Sequence, residues 1–102
     1  MAIEVVVTFQ PDETVMVVAY VYDRRTGSAV DPTSIVATIS DPSGTAKVTS
    51  EAMSKHDTGE YEYFYTLATD ATAGWWRGLV KIVDGSGGSA KNTISTFGFR
   101  IK

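Results

Sequence analysis

Cysteine is absent from this sequence of 102 residues, and histidine occurs once, at His56. Without thiols the chain can form no disulfide bond, no thiolate metal site and no cysteine nucleophile. A single histidine cannot build a histidine-rich metal cluster. These absences remove several common classes of enzyme and metalloprotein from consideration.

An excess of basic residues is also missing, since nine Lys and Arg stand against twelve Asp and Glu, for a net charge of −3 and a pI near 4.9. Nucleic acid is therefore not an expected partner. The longest uncharged apolar-rich run, Thr14–Tyr22, is far shorter than the roughly 20 residues that span a membrane as helix. The amino terminus lacks the features of a secretory signal, so we expect synthesis in the cytoplasm without a signal peptide.

What the sequence has in abundance is short runs of Val, Ile, Thr, Tyr and Phe separated by turn residues, with no dozen residues at helical spacing. This pattern predicts an all-β protein. Residues 1–102 are expected to form a single domain, because the chain is too short for two cores. Seven strands at this spacing are typical of an antiparallel two-sheet β-sandwich, with a barrel as the alternative. The predicted strands are 3–9, 14–22, 35–40, 46–49 with a ragged extension to 53, 60–67, 75–83 and 93–101.

Alternation within these strands predicts which side chains face the core, because successive residues of a strand point to opposite sides. Tyr61, Tyr63 and Tyr65 share one face, opposite Glu60 and Glu62. In the other strands, alternate residues are likewise assigned to the core and to the surface. The predicted core consists of Ile39, Tyr61, Tyr63, Tyr65, Trp76, Val80, Phe97 and Phe99.

The segments between the predicted strands contain residues that favour turns. Asp41-Pro42-Ser43-Gly44 predicts a tight turn in which Pro42 presets φ and Gly44 takes a left-handed conformation. Residues 10–13 predict another turn, residues 68–74 a loop with at most one helical turn, and the glycine-rich residues 84–92 a mobile hairpin connection.

Trp75 and Trp76 are adjacent, so a strand can bury only one of them. Trp76 shares a face with Val80 and Ile82, which favours Trp76 as the core residue. Trp75 then faces outward with Leu79, and we interpret this pair as a candidate interface because tryptophan is enriched at interface hot spots. The alternative is that loop or neighbouring strand residues cover both tryptophans.

Three further features could suggest chemistry, but each has a simpler structural interpretation. His56 lies near Ser54 and Asp57, yet neighbours on an extended segment diverge, so we expect an exposed loop histidine and no catalytic residue. The glycine-rich run 85–91 resembles a phosphate-binding loop only superficially, because a strand follows it instead of a helix.

The third feature is a set of aspartates expected in loops at one end of the sandwich: Asp23, Asp31, Asp57 and Asp84. Clustered carboxylates could bind calcium. The aspartate spacing of dedicated calcium loops is missing, so we favour turn-forming roles and expect no metal and no cofactor.

Asp57-Thr58-Gly59-Glu60-Tyr61 is similar to the Asp-x-Gly-x-Tyr run that opens a core strand in immunoglobulin-like domains, where the tyrosine hydroxyl bonds to the corner backbone. Together with 22–23, Gly27, 30–32, 39–44, 73–76 and 97–99, this run resembles the immunoglobulin-like and macroglobulin-like β-sandwich modules of bacterial surface proteins and small phage structural proteins. The resemblance implies a seven-stranded immunoglobulin-like antiparallel β-sandwich. Unlike antibody domains, this sequence has no cysteine pair, and Tyr63 stands where the second cysteine would be.

The resemblance also implies a function. We expect a non-enzymatic virion structural or accessory protein, such as a capsid decoration or assembly component, that binds a capsid protein, another virion protein or a second copy of itself. Such a protein is made in the host cytoplasm, resides in the virion and becomes extracellular after lysis. The alternative is a carbohydrate or cell-surface recognition module of an adhesin-type protein, with a surface glycan as ligand.

Overall fold

The computed structural model describes residues 2–10, 14–67, 71–85 and 91–101. Within these ranges every regular element is a strand. None of these residues forms a helix long and apolar enough to cross a lipid bilayer. The strands are β1 (Ala2–Gln10), β2 (Thr14–Tyr22), β3 (Ser34–Ser40), β4 (Ala46–Ala52), β5 (Ser54–Asp57), β6 (Glu60–Thr66), β7 (Gly74–Asp84) and β8 (Lys91–Ile101).

The all-β prediction is confirmed, but the count of seven strands is wrong because β5 makes eight. The sequence of β5, Ser-Lys-His-Asp, is polar and all four residues are exposed, so it has no apolar alternation to reveal it. Met53 separates it from β4: its side chain is buried, and its backbone N–H donates to the Ile35 carbonyl at 3.1 Å. The other seven strands lie within two residues of their predicted bounds.

The strands form two antiparallel sheets of four. The first sheet has the order β1-β2-β6-β5 and the second β4-β3-β7-β8. No strand pairing joins the two sheets within the described residues, so the arrangement is sandwich-like and the barrel alternative is wrong. The sheets bury one face each against the other.

The core between the sheets confirms the predicted inward faces. Ile39, Tyr61, Trp76, Val80 and Phe99 are buried, and the Trp76 and Phe99 rings stack with centroids 5.9 Å apart. The remaining predicted core residues, Tyr63, Tyr65 and Phe97, face inward but are only partly buried. β5 pairs with β6 only over residues 60–62, which leaves Tyr63 and Tyr65 beyond its reach, and β8 is an edge strand.

The turn at residues 41–44 forms as predicted, with Gly44 at φ +93°. The buried Asp41 carboxylate organises it, since its Oδ1 accepts hydrogen bonds from the backbone N–H groups of Ser43 and Thr45, both at 3.0 Å. Residues 11–13, 68–70 and 86–90 of the other predicted connections lie outside the described residues. The predicted loop at 68–74 ends one residue early, because Gly74 begins β7.

A second corner, between β5 and β6, depends on Gly59. This residue has φ +70°, and a Cβ there would lie 2.6 Å from the Val21 carbonyl oxygen and 2.9 Å from the Ala29 Cβ. The Gly59 carbonyl also accepts the Val21 N–H at 2.7 Å. The corner is therefore pressed against the end of β2, and only glycine fits there.

Replacing Gly59 with alanine tests this close approach, with Gly27 as a matched control because Gly27 has φ +75° and nothing within 4 Å of its ideal Cβ. Gly27→Ala should cost only the left-handed backbone strain, about 1 to 2 kcal/mol. Gly59→Ala adds a clash with backbone and should cost more than about 3 kcal/mol. Urea unfolding of both variants measures the difference, and equal losses would contradict the close packing of this corner.

Candidate binding surface

The two adjacent tryptophans lie in opposite environments, as predicted. Trp76 is 2% exposed, and its indole Nε1–H donates to the Thr72 carbonyl at 2.8 Å. Trp75 is 62% exposed on the outer side of the second sheet. Its only cross-strand neighbour is Arg100, because β3 ends at Ser40, opposite Arg77, and does not extend alongside Trp75. The register of β7 thus leaves one large indole in solvent.

Leu79 shares this outer side with Trp75 but is partly buried. It lies between Thr38 of β3 and Thr96 of β8, and these two neighbours flank its side chain. The sequence could not identify these neighbours without the strand order. The predicted interface pair is therefore one exposed and one partly buried residue on the same strand.

Positive charge accompanies the two apolar side chains. Arg77 and Lys81 alternate with Trp75 and Leu79 along β7, and Arg100 of β8 lies opposite Trp75. None of these three cations has a carboxylate within 4.0 Å in the part of the chain that the structure describes. We call this surface the basic face; its members are Trp75, Arg77, Leu79, Lys81, Ile94 and Arg100.

A shallow depression of about 410 Å³ opens on the basic face. Thr38, Arg77, Leu79 and Thr96 line it, and Trp75 does not. The two predicted residues are four positions apart on β7, or about 13 Å along an extended strand. They share a surface but not a pocket, and this geometry suits a broad contact better than an enclosed small molecule.

The outer side of the first sheet carries a second surface that the sequence reasoning missed. Glu4 of β1, Tyr20 of β2 and Glu60 of β6 form one cross-strand row, and Val6, Val18 and Glu62 form the next. Phe64, two residues beyond Glu62 on the same side, is 52% exposed. We call this surface the acidic face; its members are Glu4, Val6, Tyr20, Glu60, Glu62 and Phe64.

His56 belongs to β5 and not to a loop, so that part of its prediction is wrong, while its exposure is confirmed. Its Nε2 lies 3.5 Å from Glu60 Oε2, and its Nδ1 lies 4.0 Å from Glu62 Oε2. The imidazole therefore lies beside two carboxylates. This arrangement fits a polar surface contact better than a base that activates a nucleophile.

The four aspartates lie at the same end of the sandwich, because β2 and β7 end there and β3 and β6 begin there. Asp23 and Asp31 lie in loops as predicted, but the loop prediction is wrong for Asp57 and Asp84, which are the last residues of β5 and β7. In the described ranges no three acidic or histidine side chains come close enough together to hold a metal ion. Asp23 Oδ1 instead accepts the backbone N–H groups of Arg25 and Thr26, at 2.8 and 3.2 Å. Asp57 accepts the Thr58 N–H at 2.7 Å. These are turn-forming roles.

Asp31 is the most connected of these aspartates. Its Oδ1 accepts hydrogen bonds from the Gly59 N–H at 2.9 Å and the Tyr61 hydroxyl at 3.1 Å, and its Oδ2 accepts one from Lys55 Nζ at 2.7 Å. The Lys55 hydrogen bond and that of Gly59 lower the pKa of Asp31. Burial and the same carboxylate raise the pKa of Tyr61. The Tyr61 hydroxyl thus donates to a carboxylate, whereas the Asp-x-Gly-x-Tyr pattern predicted a bond to the backbone.

Because the folded pKa of Asp31 is lowered, its ionised form stabilises the fold above its unfolded pKa of about 3.9. This contribution disappears as the pH falls through the folded pKa. Asp31→Asn should therefore lower the melting temperature at pH 7 and reduce its fall below pH ~4. Lys55→Gln keeps the bonds from Gly59 and Tyr61 and should show a smaller effect. Calorimetry from pH ~2 to ~7 measures both variants. If the melting temperature of Asp31→Asn falls with decreasing pH as steeply as that of the parent, this role of Asp31 is contradicted.

The tryptophan pair gives a second test. Trp75→Ser should leave the free energy of unfolding within about 1 kcal/mol of the parent, because its side chain is exposed. Trp76→Ala should lower it by about 3 to 5 kcal/mol, as expected for a large core residue. Urea unfolding followed by circular dichroism measures both variants. A large loss from Trp75→Ser would show that Trp75 packs in the core.

No protein family model matches the chain, and no curated protein and no solved structure matches it. Two flat sheet faces, each with exposed apolar residues and charge of one sign, are the features best suited to binding.

Proposed function

We propose that the chain is a non-enzymatic structural or accessory protein of a virion, and that its basic face docks on a capsid or other virion protein. The observation that carries the proposal is the exposed Trp75 indole, with Arg100 opposite it and Arg77 two residues along the same strand. Tryptophan and arginine are the residues most enriched among interface hot spots. The partner's matching surface would be apolar with carboxylates around it.

The setting of these residues favours binding to a macromolecule. Trp75 and Arg77 lie on β7, and Arg100 lies on β8. Strand β8 pairs with β7 along its whole length, and β3 pairs with it from Arg77 to Val83. A sheet held in this way loses little conformational freedom on binding, which removes part of the cost of association. An open face without an enclosed cavity also matches a flat protein surface.

The immunoglobulin-like assignment belongs to this proposal, and the strand order supports it. If the eight strands are lettered A, B, C, C′, D, E, F and G in chain order, the sheets read ABED and C′CFG. This is the immunoglobulin arrangement with one added C′ strand. Tyr61 departs from it, because the corner tyrosine of that family opens strand F and Tyr61 lies in the strand lettered E. The resemblance to phage structural proteins is the basis for proposing the virion as its location.

A carbohydrate-binding module is the second candidate, and the depression on the basic face favours it. Thr38, Ser40 and Thr96 line this depression with hydroxyl groups beside Arg77. Hydroxyl and guanidinium groups can bond to a sugar, and Trp75 offers an aromatic surface near by. A glycan array separates the candidates: binding to one glycan class that requires Thr38 would favour this second function.

The primary proposal is tested by cosedimentation with purified capsids of the phage that encodes the chain. Trp75→Ser should weaken capsid binding by about 2 kcal/mol or more, a Kd change of roughly 30-fold, as for an anchor residue. Phe64→Ser is the matched control, because Phe64 is a similarly exposed aromatic residue on the opposite face. It should leave capsid binding unchanged.

Two results would contradict the proposal. The parent protein would fail to sediment with capsids, or Trp75→Ser and Phe64→Ser would weaken binding equally. Melting temperatures of both variants confirm that they are folded before binding is compared.

A further inference from the structure

The two outer faces of the protein carry charge of opposite sign. Outward positions on β1, β2 and β6 hold Glu4, Glu60 and Glu62, and no Lys or Arg occupies a described outward position there. Outward positions on β3, β7 and β8 hold Arg77, Lys81 and Arg100, and no Asp or Glu. At the outward positions of these six strands, charges of opposite sign therefore lie on opposite sides of the molecule.

Exposed apolar side chains follow the same two faces. Of the six large hydrophobic residues exposed in the described chain, five lie on these faces, and Phe9 lies at the seam beside Phe99. The acidic face has Val6, Tyr20 and Phe64, and the basic face has Trp75 and Ile94. Each face therefore combines an apolar surface with charge of one sign, as expected of two halves of one interface.

We infer that the acidic face of one copy of the chain packs on the basic face of a second copy. Pairing either face with itself would bring three like charges against three like charges, which is unfavourable. Pairing acidic with basic faces brings carboxylates against arginine and lysine and covers the exposed apolar residues of both. Because the faces lie on opposite sides of the sandwich, the contact repeats and gives an open stack.

The faces are large enough for a weak, charge-dependent contact. The strands of the first sheet have nine, nine, seven and four residues, so at about 3.3 Å per residue and about 4.8 Å between strands its face covers roughly 460 Å². This is below the ~800 Å² per partner of a standard stable interface, so we expect the contact to depend strongly on salt. Glu60 and Glu62 are two positions apart on β6, and Arg77 and Lys81 are four apart on β7, with Leu79 and the depression between them. Phe64 is the protruding side chain that suits this depression.

This inference rests on the proposed function only in using the same basic face as a binding surface. The stack would be the form in which the chain assembles, and its terminal copy would present a basic face to the virion partner. The two claims have separate readouts, because the acidic face takes part in self-association and not in capsid binding.

Charge reversal tests the inference. The parent's mass, measured by analytical ultracentrifugation, should increase with concentration at ~0.01 M salt and much less at ~1 M, where charges are screened. Glu60→Lys/Glu62→Lys and Arg77→Glu/Lys81→Glu should each weaken self-association at least ~10-fold. An equimolar mixture of the two variants should associate again, because each retains the face that the other has lost. Arg24→Glu/Arg25→Glu, in a loop, is the control for net charge and should associate like the parent.

A second measurement on the parent covers the case in which a reversal variant fails to fold. Amide chemical shifts that change with protein concentration should lie on β6 and β7. A parent that stays monomeric at low salt, shifts confined to the edge strands, or a mixture that does not associate would overturn the inference.

The same variants separate this inference from the proposed function. Capsid binding by a monomeric parent, lost in Trp75→Ser, would support the proposed function and overturn self-association. Self-association without capsid binding would support this inference and overturn the proposed function. The acidic-face variant Glu60→Lys/Glu62→Lys should be defective in self-association and should still bind capsids.

Discussion

The alternation of side chains along a strand is the constraint on which this structure depends. In two packed four-stranded sheets every strand has one inward and one outward series of residues, so the sequence must specify a core and a surface at once. On β7 the inward series Trp76, Val80 and Ile82 is buried, and the outward series Trp75, Arg77 and Lys81 forms the basic face. The core and the binding surface are therefore fixed by one register.

In the first sheet, the corner at Asp31 and Gly59 fixes the register of β6 against β2. Asp31 precedes β3 of the second sheet. It accepts hydrogen bonds from Gly59, just before β6 of the first sheet, and from Tyr61 within β6. Gly59 also accepts the Val21 N–H, so one glycine contacts both the end of β2 and the approach to β3. Because β6 pairs with β2 from this corner onward, a displacement here would shift the residues of both faces of the first sheet.

The features that alternation determines could be predicted from the sequence. The bounds of β2, Thr14–Tyr22, match the structure, and so does the division of Trp75 and Trp76 between surface and core. The features that escaped prediction depend on strand order. Leu79 is partly buried because Thr38 and Thr96 flank it, and the sequence does not say that β3 and β8 are its neighbours. The polar β5 was missed because it has no apolar alternation, and its pairing with β6 forms it.

Strand order also explains why the two faces went unnoticed. Glu4 is 56 residues from Glu60 in sequence, and the two become neighbours in one row only through Tyr20 of the intervening β2. Arg100 and Arg77 are likewise brought together by the pairing of β7 with β8. Charge that looks scattered along the chain is segregated once the sheets are assembled.

The edges of the sheets direct association toward these faces. Unpaired edge strands are the usual sites of unwanted sheet extension, and proteins protect them with short strands, bulges or covering contacts. Here β5 has four residues, β4 has register shifts and Ser50 at φ +47°, and β1 and β8 lie against each other with the Phe9 and Phe99 rings 6.0 Å apart. With β5 short, β4 bulged and the two long edges β1 and β8 lying against each other, the flat outer faces are the surfaces best able to bind. They also carry three of the four exposed large aromatic residues of the described chain, Tyr20, Phe64 and Trp75.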